Sequence, residues 1–338
     1  MSEQPATTAS ERGTDEQGAS RSDSERLRRP LAAFIKPEYV LVTFLVVLVV
    51  IFSVRSPFFL AIGNFRNILL SVAVLGVLAI PSTLLLVSAN VDLSVASNAA
   101  VCGMVVALVG LDHGIVLGVI AAIATGVVLG AFNGFLVSWV GINSIITTLG
   151  TLAIFRGMAR LSSNGQTVVF PGFAWLGSGT TLGVPNAVLL LLIVAVVFYV
   201  LMRYTVYGRS VYAMGANEQA ARLSGIKIRR NLFLAFTMTG LCAAFAGLIL
   251  TSQLRAAAPV AATGLELSVV AAVLLGGASL TGGKGTVIGT MLGVLILGTL
   301  NNGLTILNVS SFWQEIARGA VLIVAVGLDQ LRLRLTGE

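Results

Sequence analysis

The sequence predicts an all-α fold, a polytopic membrane helical bundle of about ten spans that includes broken or re-entrant helices. Three observations carry that prediction. First, 56% of the 338 residues are hydrophobic and only 10% are Asp, Glu, Lys or Arg, too few charges to solvate a globule of this length. Second, thirteen of the charged residues fall in the first 38 positions, leaving 22 for the other 300. Third, apolar runs follow one another almost to the C-terminus, and a helix needs roughly 20 apolar residues to cross the hydrocarbon layer of a bilayer.

Taken in order, residues 1–38 are polar, Ser-rich and charged with both signs. They lack the short apolar core and cleavage site of a secretory signal, so they read as a disordered tail. The membrane domain spans 39–330, with runs at 39–54, 67–88, 93–111, 115–140, 144–161, 186–202, 232–252, 267–280, 286–307 and 312–328. Several are short for a full crossing, notably 267–280, as half-helices and re-entrant pieces are. Asp112-His113-Gly114 reads as a tight turn between spans. Residues 331–338 form a second tail. Cys102 and Cys242 each lie inside an apolar run, where a free thiol behaves as a small hydrophobe, and one histidine excludes a multi-histidine metal site.

The basic residues orient this series, because Lys and Arg favour the cytoplasmic side. Ten spans put both termini on one side. Six Lys or Arg lie in the N-terminal tail and six in 203–230, joined by Lys284, Arg332 and Arg334, against four (Arg55, Arg66, Arg160, Arg255) on the opposite side. Both termini and the 203–230 loop are therefore expected in the cytoplasm. The net charge of +7 follows from this topology. It is not the clustered basic face of a nucleic-acid binder, and no nucleic-acid partner is expected.

Many of the 37 glycines recur at spacing four: Gly126, Gly130 and Gly134 on one predicted helix, Gly285, Gly289 and Gly293 on another. Rows of small residues let helix backbones approach closely, which supplies packing where lipid removes the hydrophobic drive between helices.

The most polar stretch among the spans is 88–98, with Asn90, Asp92 and Ser94. A carboxylate at membrane depth is costly unless it caps, pairs or lines a wet cavity. Asp92 has two compatible roles: capping the following helix through the N–H groups of Leu93, Ser94 or Val95, and marking a break that lines a polar pathway. Asn133, Asn301 and Asn302 join Asn90, Asp92 and Ser94 as candidates for the translocation pathway. Interhelical hydrogen bonding is the commoner role of such amides. Glu266 suits the first turn of a helix.

No catalytic residues are expected. The segment Leu280-Thr281-Gly282-Gly283-Lys284-Gly285-Thr286 resembles a nucleotide loop, but Ala278 and Gly285 occupy positions where such a loop needs Gly and Ser or Thr. No nucleophile elbow or H-E-x-x-H sequence occurs either. Energy must come from a partner or an ion gradient, and the chain needs no metal or cofactor of its own.

The 203–230 loop is different in kind. It reads as a turn at Gly215-Ala216-Asn217, then a short helix with Glu218 near its start and Gly225 as its stop. Its small apolar face (Ala220, Ala221, Leu223, Ile226) has two open uses. One is docking in a groove on another protein. The other is lying on lipid headgroups beside Lys227, Arg229 and Arg230.

With these segments in view, the chain from about Pro57 to Asp329 resembles the membrane permease subunits of bacterial ABC importers for ribose, xylose, rhamnose, autoinducer-2 and related small polyols. The resemblance rests on 88–97, on Thr148-Leu149-Gly150-Thr151 through Arg156-Gly157, on 212–226 and on 274–285. It implies a pair of permeases, identical or paralogous, in a bacterial inner membrane. Separate cytoplasmic ATPase subunits would use the ATP, and an extracytoplasmic binding protein would deliver a monosaccharide-like solute. Gly215, Asn217, Glu218, Arg222 and Gly225 match the family's coupling segment, with Ala221 and Leu223 between them. The chain departs from the family pattern at Ala89, Asn90, Ala96 and Ala216, where glycines are usual. The competing class is an ion-coupled secondary transporter of a small polar solute. It would carry acids or histidines within spans and two similar halves, whereas Glu315 is the one acid inside an expected span here, and Asp92 and Glu266 directly precede spans.

Overall fold

The structure, a computed structural model, describes residues 37–317 together with 319, 320, 323 and 327. In chain order its helices are α1 (Pro37–Arg55), α2 (Ile62–Val87), α3 (Val95–His113), α4 (Ile115–Phe135) with a π-type extension over Leu136–Val140, α5 (Ser144–Leu161), α6 (Trp175–Ser178), α7 (Asn186–Tyr204), α8 (Val206–Ala216), α9 (Glu218–Leu223), α10 (Ile228–Leu254), α11 (Leu265–Leu275) and α12 (Val287–Ile306). Residues 311–317 are also helical. Four two-residue strands form two antiparallel pairs: β1 (Val168–Val169) with β4 (Ala256–Ala257), and β2 (Thr180–Thr181) with β3 (Val184–Pro185).

α2 is the axis of the bundle because it is apolar all round, and every residue from Val72 to Val87 is buried. Pro81 interrupts its backbone ladder. Nearby, the Ser82 and Thr83 hydroxyls donate to the carbonyls of Leu78 (2.8 Å) and Ala79 (3.0 Å). The Thr83 hydroxyl also meets that of Thr290 at 2.6 Å, joining α2 to α12. Around α2 pack α7, α10, α11 and α12, while α3, α4 and α10 pack against one another. α4 is peripheral: in its most apolar stretch 28% of residues are buried, against 83% for α2.

The glycine rows act as packing surfaces. A Cβ on Gly126 would lie 2.5 Å from the Gly240 carbonyl oxygen, and one on Gly130 would lie 2.6 Å from that of Phe236, so α4 touches α10 backbone to backbone. Gly289 and Gly293 meet Gly276 and Ala272 in the same way. Gly285 departs from the expected row. It precedes Thr286, the N-cap of α12, and has a φ of +147°, so it shapes a turn instead of a helix face.

Six helices among the described residues are long and apolar enough to cross a membrane: α2, α3, α4 with its extension, α7, α10 and α12. The sequence reading expected about ten spans. Two apolar helices, over Tyr39–Arg55 and Leu265–Leu275, are shorter. α5 has the expected bounds, but its threonines and two arginines make it less apolar. The run expected at 267–280 stops being helical at Leu275, because Gly276 and Gly277 open a glycine-rich turn, with Gly277 at φ +88°. The expected tails, apart from Pro37 and Glu38, and part of the 312–328 run lie outside the described residues. The two strand pairs and α6 occupy 162–185 and 256–257, where no element was expected.

The connections gather into two groups. At one end, the main-chain N–H of Phe170 donates to the Arg255 carbonyl (2.8 Å), that of Gly177 to the Ser252 hydroxyl (2.7 Å), and the Arg156 guanidinium to the Ala261 carbonyl (2.8 Å). The other end is formed by 87–94, 137–144, 204–232 and 276–286. These segments share the contacts described next.

Candidate functional site at the elbow end

The elbow begins at Thr205, whose extended backbone ends α7 and whose hydroxyl accepts the Gly208 N–H at the start of α8. Gly215 was expected in a turn, but it lies in the last turn of α8. The turn itself is at Asn217, which has a φ of −160° and accepts the Ala220 N–H at 2.9 Å to cap α9. Gly225, at φ +82°, ends the unit as predicted. The apolar face expected on this helix splits. Ala221 is buried against the bundle's own core, Ile226 is half-buried, and Leu223 is 90% exposed. Ala221 therefore anchors the elbow inward, and Leu223 is available outward. Glu218 and Arg222 form an exposed ion pair of 2.8 Å across one turn of α9.

Gly215 is required by close approach. A Cβ there would fall 1.7 Å from the Val87 carbonyl oxygen and 2.6 Å from the Gly283 nitrogen. The Gly283 N–H donates to that same Val87 carbonyl at 2.8 Å. The Tyr212 hydroxyl donates to the Gly285 carbonyl at 2.6 Å. Burial raises the Tyr212 phenol above its ordinary pKa, so it keeps the proton that this bond uses. Three separate segments thus meet through one main-chain bond, one side-chain hydroxyl and one glycine contact: the end of α2, the last turn of α8 and the turn at 276–286. Gly282 and Gly283 reach this geometry at φ +87° and +72°, a region that glycine enters without a Cβ penalty.

The polar break follows directly. Ala89 leaves α2 at φ +59°, and the Asn90 side chain donates to the Ser88 carbonyl at 2.8 Å. Asp92 is buried, and one carboxylate oxygen accepts from both the Ser94 N–H (2.8 Å) and the Ser94 hydroxyl (2.7 Å). Ser94 is the N-cap residue of α3, so Asp92 fixes the turn entering that helix, one of the positions expected for it. The Asn133 amide then donates to the Ser94 hydroxyl at 2.7 Å, which ties α3 to α4. This is the interhelical role expected for amides. The Asn133 side-chain oxygen is buried and has no hydrogen-bond partner among the described residues.

The six pathway candidates do not form one cluster. Asn90, Asp92, Ser94 and Asn133 lie together at the elbow end. Asn301 and Asn302 sit near the far end of α12, about 20 Å along its axis from the helix start. There Asn302 donates to the Asn64 side chain at 2.8 Å and ties α12 to α2. The expected span bounds already separate them, because 301–302 lie near the end of the 286–307 run whereas Asn90 and Asp92 directly precede the 93–111 run. Glu266 is placed as expected, accepting the Gly264 N–H at 3.2 Å ahead of α11. Among the described residues no three His, Cys, Asp or Glu side chains stand together as a metal site.

Between the break and the elbow lies a cavity of about 440 Å³, lined by Ser88, Asn90, Asn143, Ser144, Met214, Glu218 and Arg222 among others. The sequence reading did not single out Ser144 or Tyr212 as parts of this site. Asn143 caps α5 through the N–H groups of Ile145 and Ile146, and the Ser144 hydroxyl accepts the Val91 N–H at 3.4 Å. Polar groups at the start of a predicted helix were the available signal.

A model of the family described as branched-chain amino acid transport system / permease component matches residues 64–326. The chain is 40% identical over 292 residues to the ribose import permease protein RbsC of Escherichia coli (strain K12), covering 84% of this chain and 91% of the relative. It is 41% identical over 295 residues to the protein of the same name from Bacillus subtilis (strain 168), covering 85% and 90%. The L-arabinose ABC transporter permease protein AraH of Azospirillum brasilense is 39% identical over 283 residues, covering 83% and 84%. No solved structure matches the chain.

Proposed function

We propose, from the premise that this chain belongs to the branched-chain amino acid transport system / permease component family, that it is the membrane permease of a carbohydrate importer driven by a separate ATP-binding cassette subunit. The relatives are named for ribose and L-arabinose, and the solute assigned here is a monosaccharide or similar small polyol. The chain is a non-catalytic transport component. Its proposed partners are a cytoplasmic ATPase, a second permease and an extracytoplasmic solute-binding protein.

In this reading the membrane holds about ten spans, with the six long apolar helices as their core. The elbow end faces the cytoplasm, because Arg203, Arg209, Arg222, Lys227, Arg229, Arg230 and Lys284 gather there. The ATPase docks on the outward surface of α8 and α9 through Glu218, Arg222 and Leu223, with Asn217 and Gly225 setting the shape of that surface.

One observation carries the mechanism: the Gly215 backbone of the elbow packs against the end of α2, and the Tyr212 hydroxyl bonds the elbow to the 276–286 turn, which is itself bonded to Val87. No flexible linker intervenes. A push delivered to α9 reaches Ala89 to Ser94 directly, and the cavity between them opens or closes as a consequence. ATP-driven closure of the ATPase pair thus biases a two-state element toward inward or outward access. Asn90, Asp92, Ser94 and Asn133 are the polar groups beside this moving junction.

The test is transport by the full complex in proteoliposomes containing the partner ATPase and binding protein. Glu218→Ala with Arg222→Ala is expected to leave ATP hydrolysis running while uptake falls by about tenfold or more, as loss of about 1.4 kcal/mol of coupling gives. Undiminished uptake would remove the coupling role of α9.

A further inference from the structure

We propose that the groove between α9, the start of α10 and Trp139 binds the phosphodiester headgroup of an anionic glycerophospholipid. The groove adjoins the solute cavity and shares Trp139, Arg222, Ile228 and Arg229 with its lining, but it does not include Ser88 or Asn90 of the polar break, and the proposal holds whichever sugar is carried. The groove has a volume of about 400 Å³, and its lining includes Trp139, Arg222, Ile226, Lys227, Arg229 and Arg230. Arg222 is paired with Glu218. Lys227, Arg229 and Arg230 are exposed, and none has a carboxylate partner among the described residues.

Two further features select an anion. α10 runs for 27 residues from this point, its N-cap Lys227 makes no side-chain cap bond, and its first turn holds no acid. The positive helix end therefore adds to the three cations that lack a carboxylate partner among the described residues. Phosphate oxygens accept from such donors strongly.

A third feature selects a lipid over a free phosphate. The Trp139 ring is 44% exposed and stands 5.0 Å from Phe233 and 6.0 Å from Phe135 between ring centres. Phe132, Phe135 and Val128 continue this exposed apolar strip along α4. A basic rim joined to an aromatic wall that runs on into an apolar helix face matches a molecule with a charged head and hydrocarbon tail. A soluble anion has no use for the wall. An acidic peptide would not follow α4 into the hydrocarbon.

The experiment uses the full chain in lipid nanodiscs and reads quenching of Trp139 fluorescence by brominated lipids, with Trp139→Phe subtracting the other two tryptophans. At equal mole fraction, brominated phosphatidylglycerol is expected to quench the Trp139 component about fivefold more effectively than brominated phosphatidylcholine. Lys227→Gln with Arg229→Gln and Arg230→Gln should bring the two lipids to equality. Arg229→Gln alone, an exposed and unpaired position, should reduce the ratio part way and guards against misfolding of the triple variant. Equal quenching in the unaltered chain overturns the proposal. So does a preference that survives the triple substitution. Millimolar inorganic phosphate is expected to leave the ratio unchanged; if it abolishes the preference, the site belongs to soluble phosphate and the lipid assignment fails.

Discussion

The contact between α4 and α10 and the junction at the elbow end are both built on glycine, yet they use it differently. In the first, Gly126, Gly130 and Gly240 sit within regular helices, and a Cβ on Gly240 would lie 2.2 Å from the Gly126 carbonyl oxygen. Absence of side chains there lets two long cylinders touch along their length, and van der Waals contact holds them. In the second, Gly282, Gly283 and Gly285 have positive φ, and the contact is a hydrogen bond from Gly283 to Val87 beside a close approach at Gly215. The first arrangement makes a wall that moves as one body. The second fixes three short segments at a point, which is what passing a displacement between them requires.

Breaking the wall should have the largest effect. Gly240→Val places a branched side chain where the α4 backbone already lies. The expected cost is about 3 kcal/mol or more, since overpacked sites that cannot relax exceed the ordinary 1–3 kcal/mol. Thermal unfolding of the detergent-solubilised chain measures it, and uptake should fall only as the folded fraction falls. A variant that unfolds normally would mean the two helices separate easily, against the picture of a rigid wall.

Breaking the junction should cost less stability and more function. Gly215→Ala puts a Cβ 1.7 Å from the Val87 carbonyl oxygen, so α8 must shift away from α2. Four residues of α8 and α9 are buried (Gly208, Val211, Met214 and Ala221), against fourteen of α10, so this shift disturbs a smaller part of the core. The expected loss of stability is about 1–3 kcal/mol, with uptake reduced by about tenfold or more while ATP hydrolysis by the complex continues. If uptake instead tracks the amount of folded protein, Gly215 is another packing glycine and the contrast with Gly240 disappears.

The wall was readable in the sequence and most of the junction was not. Gly126, Gly130 and Gly134 recur at a helical spacing, and a period of four on an apolar run translates directly into one helix face. The bounds of α5 and the break at Gly114 were legible for the same reason, being local, although Asp112 and His113, expected in the turn, belong to the last turn of α3. The elbow's Asn217 cap and Gly225 stop were likewise local signals. What a single sequence did not carry was the meeting of positions far apart in the chain: Gly215 with Val87, and Tyr212 with Gly285. The glycine-rich turn was visible as composition, but its partners depend on how α2, α8 and α12 pack. Asn301 and Asn302 were grouped with Asn90 by residue chemistry, although their place near the end of the 286–307 run already gave a different depth.

The smallest expected effect tests whether the junction works through its main chain. Ala89 occupies the left-handed region at φ +59°, which costs a residue with a Cβ roughly 1–2 kcal/mol relative to its ordinary conformations. Glycine bears no such cost there but loses more freedom on folding, so Ala89→Gly should raise stability by a net of about 1 kcal/mol or slightly less. The Ala89 methyl stands against Gly282, where an added Cβ would lie 2.9 Å from it, so its removal also slackens the packing at the point where the three segments meet. Equilibrium unfolding and ATP-driven uptake separate the two consequences. Higher stability with unchanged uptake is expected, because the Gly283-to-Val87 and Tyr212-to-Gly285 bonds are untouched by the substitution. Higher stability with reduced uptake would mean that the methyl contact transmits movement alongside those bonds. The elbow end would then share the side-chain packing logic of the wall.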